Sequence, residues 1–134
     1  MTDSLLTNHT FADLQVGDTA SLTRVAGDKD IDLLAAMAGG NRPAPGDAAA
    51  KATTLFNDIV ANGLWTGALV SRVIGTRLPG PGTIYLGQDF RFVKPVVDGD
   101  TITANVRVVQ KYPDNRTVAL ETICSNQKAE DVLT

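Results

Sequence analysis

The run Gly63-Leu-Trp-Thr-Gly-Ala-Leu-Val-Ser-Arg-Val-Ile-Gly-Thr-Arg-Leu78 decides the fold. Wound as a helix, it places Leu64, Trp65, Ala68, Leu69, Val70, Val73 and Ile74 around nearly the whole circumference. A helix apolar on so many sides has to be buried, which predicts a central helix rather than one lying on a surface. Gly63, Gly67, Ser71 and Gly75 recur along one line of it. Each helical glycine costs about 1 kcal/mol relative to alanine, so the stripe calls for a close approach by a sheet, a second subunit or a ligand. Close packing is the commoner of these reasons.

Working outward toward the C-terminus, Leu78-Pro-Gly-Pro-Gly82 stops the helix, because proline lacks the amide donor and glycine frees the backbone. Three β-rich segments follow: Thr83–Val93, Thr101–Lys111 and Arg116–Ser125, joined by the turn-rich stretches Lys94–Asp100 and Tyr112–Asn115. Ile102, Ala104, Val106 and Val108 alternate with polar neighbours, as do Val118, Leu120 and Thr122, the period of half-buried strands. A buried helix followed by an antiparallel meander gives an α+β domain with its sheet curled around the helix.

Toward the N-terminus the pattern is looser. Residues 1–10 are polar and aperiodic and read as a flexible tail that includes His9, leaving residues 11–134 as a single domain. Phe11–Asp18 reads as a turn into a strand, Thr19–Val25. Asp28 or Asp30 can cap a helix reaching about Ala38, ended by Gly39-Gly40. Asn41-Arg-Pro-Ala-Pro-Gly46 is a stiff loop, and alanine-rich Asp47–Thr54 has the propensity of a short helix.

Composition narrows the function. With 134 residues there is room for one core. Fifteen acidic against 12 basic residues, net −3, with no dense basic block, argue against nucleic acid. No run of about 18 apolar residues suits a membrane span, and Met1–Thr10 lacks the pattern of a signal peptide, so a cytoplasmic protein is expected. The single cysteine, Cys124, can form neither an internal disulfide nor a cysteine metal cluster.

Particular words in the chain then carry more than periodicity does. Leu78-Pro-Gly-Pro-Gly-Thr-Ile-Tyr-Leu-Gly-Gln88, Phe90-Arg-Phe92, Pro95-Val96 and Gly99-Asp100-Thr101 resemble the central run of the MaoC-like, (R)-specific enoyl-CoA hydratases. Ile59-Val-Ala-Asn-Gly-Leu64 resembles that family's entry to its central helix, and Cys124-Ser-Asn-Gln127 the end of a late strand. The wording is most similar to the hydratase-like domain that precedes a phosphate acetyl- or butyryltransferase domain in some bifunctional proteins. The resemblance implies a hot-dog fold, a homodimer, and an acyl-CoA or enoyl-CoA thioester bound near the subunit interface, with no other cofactor and no metal. It also implies that Thr134 falls before the last strand such domains usually complete.

The implied chemistry is addition of water to a trans-2-enoyl-CoA by an Asp and a His of the pattern Ser-Gly-Asp-x-Asn-Pro-x-His-x-Asp. Aligned on that pattern, Gly40 stands at the Asp position and Pro45 at the His position, while Pro43 and Asp47 still match. Asn62 replaces a His that often precedes the helix-opening glycine. Hydration needs a base for water and an acid for the α-carbon, and neither glycine nor proline can serve. What the resemblance leaves is a substrate-binding site at Asn62, Gly63 and Leu64, with the Gly63 N–H able to hydrogen-bond a thioester carbonyl.

Three readings stay open: a catalytically degenerate thioester-binding domain, an enzyme that works through Asp58, Asn62 or bound water, and a dimerisation or accessory domain of a phosphate acyltransferase. Asp28, Asp30, Asp32, Asp47 and Asp58 are each possible bases, although solvated or helix-capping carboxylates are far commoner. His9 would have to fold over the site in a fixed pose. Cys124 lies in an expected strand with no histidine to activate it. Arg72, Arg77, Arg91 and Lys94 are candidates for the CoA phosphates, against the ordinary role of solvated charge.

Overall fold

The computed structural model describes residues 6–27, 29, 30, 33 and 63–134. Its sheet has four antiparallel strands in the order β1-β2-β3-β4: β1 (Thr19–Val25), β2 (Thr101–Tyr112), β3 (Thr117–Ser125) and β4 (Asp131–Leu133). Residues 63–76 form the helix, α1. The expected helix from Asp28 or Asp30 to Ala38 falls mostly outside the described residues, of which 29, 30 and 33 are helical. The expected loop Asn41–Gly46 and helix Asp47–Thr54 lie wholly outside them.

The core forms where α1 meets one face of the sheet. Ile102, Ala104, Val106 and Val108 of β2 are fully buried, each pointing the same way because side chains alternate along a strand. Trp65, Leu69, Val70, Val73 and Ile74 of α1 meet them, with Leu14, Leu78, Val96, Cys124, Val132 and Leu133 completing the cluster. A bulge between Val108 and Gln110 sets Val109 outside the ladder with β3. The helix is nonetheless buried on one face only. Leu64, Ala68, Ser71 and Arg72 are exposed, so its all-round apolarity exceeds what the described residues cover.

The Thr83–Val93 segment departs from expectation. Among the described residues it forms no strand of the sheet; its one bridge there is Phe92↔Leu133, flanked by backbone hydrogen bonds that Arg91 and Thr134 exchange at 2.8 and 3.0 Å. Ile84 and Leu86 are left 80% and 76% exposed.

The N-terminal segment also differs from a free tail at its described end. Thr7 N–H donates to the Thr76 carbonyl at 2.7 Å and His9 N–H to the Pro79 carbonyl at 2.9 Å. Gly80 makes this possible: its φ is +98°, and a Cβ there would lie 1.9 Å from the Thr7 carbonyl oxygen. Gly80→Ala is expected to cost at least about 1–2 kcal/mol for the left-handed backbone and to loosen residues 7–9, read as a lower urea midpoint and faster amide exchange at Thr7 and His9.

Candidate functional site

The glycines of α1 have distinct partners. A Cβ on Gly63 would lie 3.2 Å from the Phe92 ring, and one on Gly67 3.0 Å from the Phe90 ring. The first half of the stripe is thus the bed for two aromatic side chains of Phe90-Arg-Phe92. Gly75 has nothing within 4 Å of its would-be Cβ. Beside these rings, Leu64, Gly67, Ala68 and Ser71 line a groove of about 520 Å³ whose far wall is Tyr85–Gln88, Phe90 and Phe92. Of the expected binding residues, Leu64 therefore borders the groove and Gly63 sits one residue before it under Phe92. Asn62, Gly40 and Pro45 lie outside the described residues, as do Asp28, Asp32, Asp47 and Asp58.

The remaining candidates sort by their partners. Asp30 is committed to Arg24 through two hydrogen bonds of 2.8 and 3.2 Å. That guanidinium holds its carboxyl below the usual range, assisted by a bond from the Trp65 side chain and opposed by partial desolvation. A carboxylate so held is a poor base near neutral pH. Because the folded-state pKa is depressed, its stabilisation is present above the unfolded value of about 3.9 and is lost as pH falls through the lower folded value. Asp30→Asn should therefore cost about 0.2–1 kcal/mol at pH 7, the range for a pair whose Arg24 is half exposed. Parallel denaturant titrations should find that difference shrinking below about pH 4.

Cys124 is fully buried, its thiol hydrogen-bonded to the Thr66 carbonyl at 3.8 Å and pushed by burial up to about 12. It is a core residue, not a nucleophile. His9 is held at its backbone by Pro79, on the rim of a second groove between residues 83–90 and β3. Arg77 donates to the Ser21 carbonyl at 3.2 Å and Lys94 pairs with Glu130. Among the described residues the side chains of Arg72 and Arg91 are the two of these four candidates with neither an ion pair nor a hydrogen bond.

One network escaped the sequence reading although its words were in view. Asp100, 8% exposed, accepts from the Gln127 side-chain amide at 2.9 Å and from Val97 N–H at 3.0 Å, while Gln127 accepts from Thr101 N–H at 3.0 Å. Asn126 accepts from the amides of Lys128 and Glu130, both at 3.0 Å, turning the chain into β4. Gly99-Asp100-Thr101 and Cys124-Ser-Asn-Gln127 thus belong together for a structural reason: they close the end of the sheet next to Ala26, whose N–H donates to the Asp100 carbonyl at 2.8 Å.

Residues 14–128 match the family model described as "MaoC like domain". The chain belongs to this family. The MaoC-like domain is 38% identical over 117 residues to an (R)-specific enoyl-CoA hydratase of Rhodospirillum rubrum, covering 87% of this chain and 81% of that protein. It is 37% identical over 115 residues to a 3-hydroxybutyryl-CoA dehydratase of Methylorubrum extorquens, covering 86% of this chain and 73% of the other. In three dimensions it superposes on an unliganded R-hydratase from Pseudomonas aeruginosa with a TM-score of 0.79 and 43% identity, over 94% of this chain and 81% of that one. The (R)-hydratase of Aeromonas caviae gives 0.76 and 35%, over 90% and 92%. The expected architecture holds: an α+β hot-dog domain with an antiparallel sheet against its helix. Among the described residues no helix is long and apolar enough to cross a membrane, and no group of His, Cys, Asp and Glu could hold a metal ion.

Proposed function

We propose that this MaoC-like domain binds an acyl-CoA or enoyl-CoA thioester as a homodimer, in the cytoplasm, without catalysing hydration at an enzymatic rate. The observation that carries the reading is the pair Gly40 and Pro45, standing where the family pattern has its Asp and His. A polar backbone donor survives at Gly63, and donors aimed at a carbonyl oxygen can bind a thioester whether or not an acid and a base follow. Arg72 and Arg91 supply charge for phosphates.

Support for the dimer comes from what one chain leaves uncovered. Leu64, Leu86 and Phe92, which line the groove beside α1, are exposed, and exposed apolar side chains gathered at one groove are of the kind that marks association. A second copy would bury them and close the groove at Leu64. The names of the relatives favour another reading, an active hydratase that uses Asp58, Asn62 or bound water. Calorimetry with crotonyl-CoA and light scattering test the proposal: saturable binding, a dimer at micromolar concentration and no loss of enoyl absorbance are expected. A monomer removes the dimer from it, and absence of binding leaves an accessory or dimerisation role.

A further inference from the structure

Asp30, a poor base, has a side chain that is 15% exposed and a carboxylate that accepts from three parts of the fold. The Arg24 guanidinium on β1 donates twice, at 2.8 and 3.2 Å. The backbone of Gly27, just past β1, donates once more, while Asp30 N–H donates to the Gly27 carbonyl at 3.1 Å. The last donor is the Trp65 side chain, on the first described turn of α1. An indole donates through its N–H alone, so Trp65, 7% exposed, lays its ring in the core and spends its polar atom on Asp30.

The turn held in this way contains Gly63. It also meets the Phe92 ring, 3.2 Å from a Cβ built at Gly63, and the Cys124 thiol, 3.8 Å from the Thr66 carbonyl. A ring face gives no direction and a thiol is a weak donor. A carboxylate gripped by both arms of a guanidinium is a directional anchor. Arg24 itself is fixed by the ladder, opposite Ile102 of β2. Asp30 therefore carries the position of the sheet to the helix, and Arg24 balances its charge so that an anionic ligand is not repelled there.

We infer that Asp30 is a positioning residue, which sets the first turn of α1 against β1 and so aims the Gly63 N–H at the thioester carbonyl. The inference rests on the thioester reading of that site. A binding donor has to be held to within about 0.5 Å, and Asp30 grips the turn that carries this one. It acts through Trp65 and moves no proton.

The test compares the parent chain with Asp30→Ala, with Trp65→Phe, which keeps a ring in the core and removes the N–H, and with the double variant. Arg107→Ala, which breaks an exposed ion pair to Glu121 of 3.0 Å, is the control. Calorimetry with crotonyl-CoA is expected to show affinity lower by about tenfold in each single variant. The double variant should lose no more, because either change breaks the same tie, and the control should match the parent. Amide exchange of the ligand-free proteins by NMR is the second readout. Gly67 N–H, which helix geometry bonds to the Gly63 carbonyl, should exchange about tenfold faster in both single variants, with Val73 unchanged as the sign of an intact fold. Unchanged affinity in Asp30→Ala, or losses that add in the double variant, overturns the positioning role. Unchanged exchange at Gly67 overturns the tie itself, whether or not the ester binds. A parent chain that binds no crotonyl-CoA sinks the thioester reading instead, and exchange at Gly67 then upholds or overturns the tie.

Discussion

Replacing Gly40, Pro45 and Asn62 together, as Gly40→Asp, Pro45→His and Asn62→His, is expected to raise crotonyl-CoA hydration at least about 10²-fold over the parent chain. Positioned acids and bases are each worth about 10²–10⁴-fold, and the frame around them, Gly39, Pro43, Asp47 and Gly63, keeps the family's wording. Recovery should stop short of a typical enzyme rate of about 10 s⁻¹, because nothing in a sequence with glycine and proline at these positions is fitted to orient the new side chains, and about 1 Å of misplacement can cost 10²-fold. Gly40→Asp alone and Pro45→His alone should each stay near the parent rate, since groups acting as a unit are strongly non-additive. Loss of enoyl absorbance in stopped-flow or steady-state assays reads all four proteins. A parent chain that already turns over at about 10 s⁻¹ would put the chemistry on other residues and sink the degeneracy argument.

How much of this molecule was legible in its sequence depended on whether the deciding interaction was local. β1 over Thr19–Val25 and the inward set Ile102, Ala104, Val106 and Val108 followed from alternation, because period-two patterning is local and the buried face enforces it. The Thr83–Val93 segment had the composition of a strand, and among the described residues its ladder contact is the single bridge Phe92↔Leu133, a pairing across the chain that local composition does not specify. Only the first half of the glycine stripe, Gly63 and Gly67, packs closely, and its partners, Phe92 and Phe90, lie across a turn that periodicity does not cross, while Gly75 meets nothing. Thr7 over Gly80 could not be foreseen, since a polar aperiodic segment gives no sign that its carbonyl will sit where only glycine fits. The candidate site was legible chiefly through resemblance. Gly40 and Pro45 say what is absent, whereas the groove walls arise from residues far apart in the chain.

Leu69→Ala is expected to lower stability by about 2–5 kcal/mol. Leu69 is 6% exposed, on the turn of α1 between Trp65 and Val73, within the cluster that also holds β2 and Cys124. Removing its isobutyl group loses the transfer energy of the buried atoms and leaves a cavity whose walls belong to both the helix and the sheet. Neither can close on it freely: Phe90 and Phe92 fix α1 on one side through Gly67 and Gly63, and the β1-β2-β3 ladders fix the other. That rigidity places the cost in the upper part of the range. Arg72→Ala, three residues on but exposed, should change stability by no more than about 0.5 kcal/mol. The contrast is what tests the central-helix assignment, because a helix turned by about half a turn would expose Leu69 and bury Arg72. Urea titrations followed by Trp65 fluorescence provide the measurement, and similar midpoints for Leu69→Ala and the parent would mean that α1 does not pack against β2 as described.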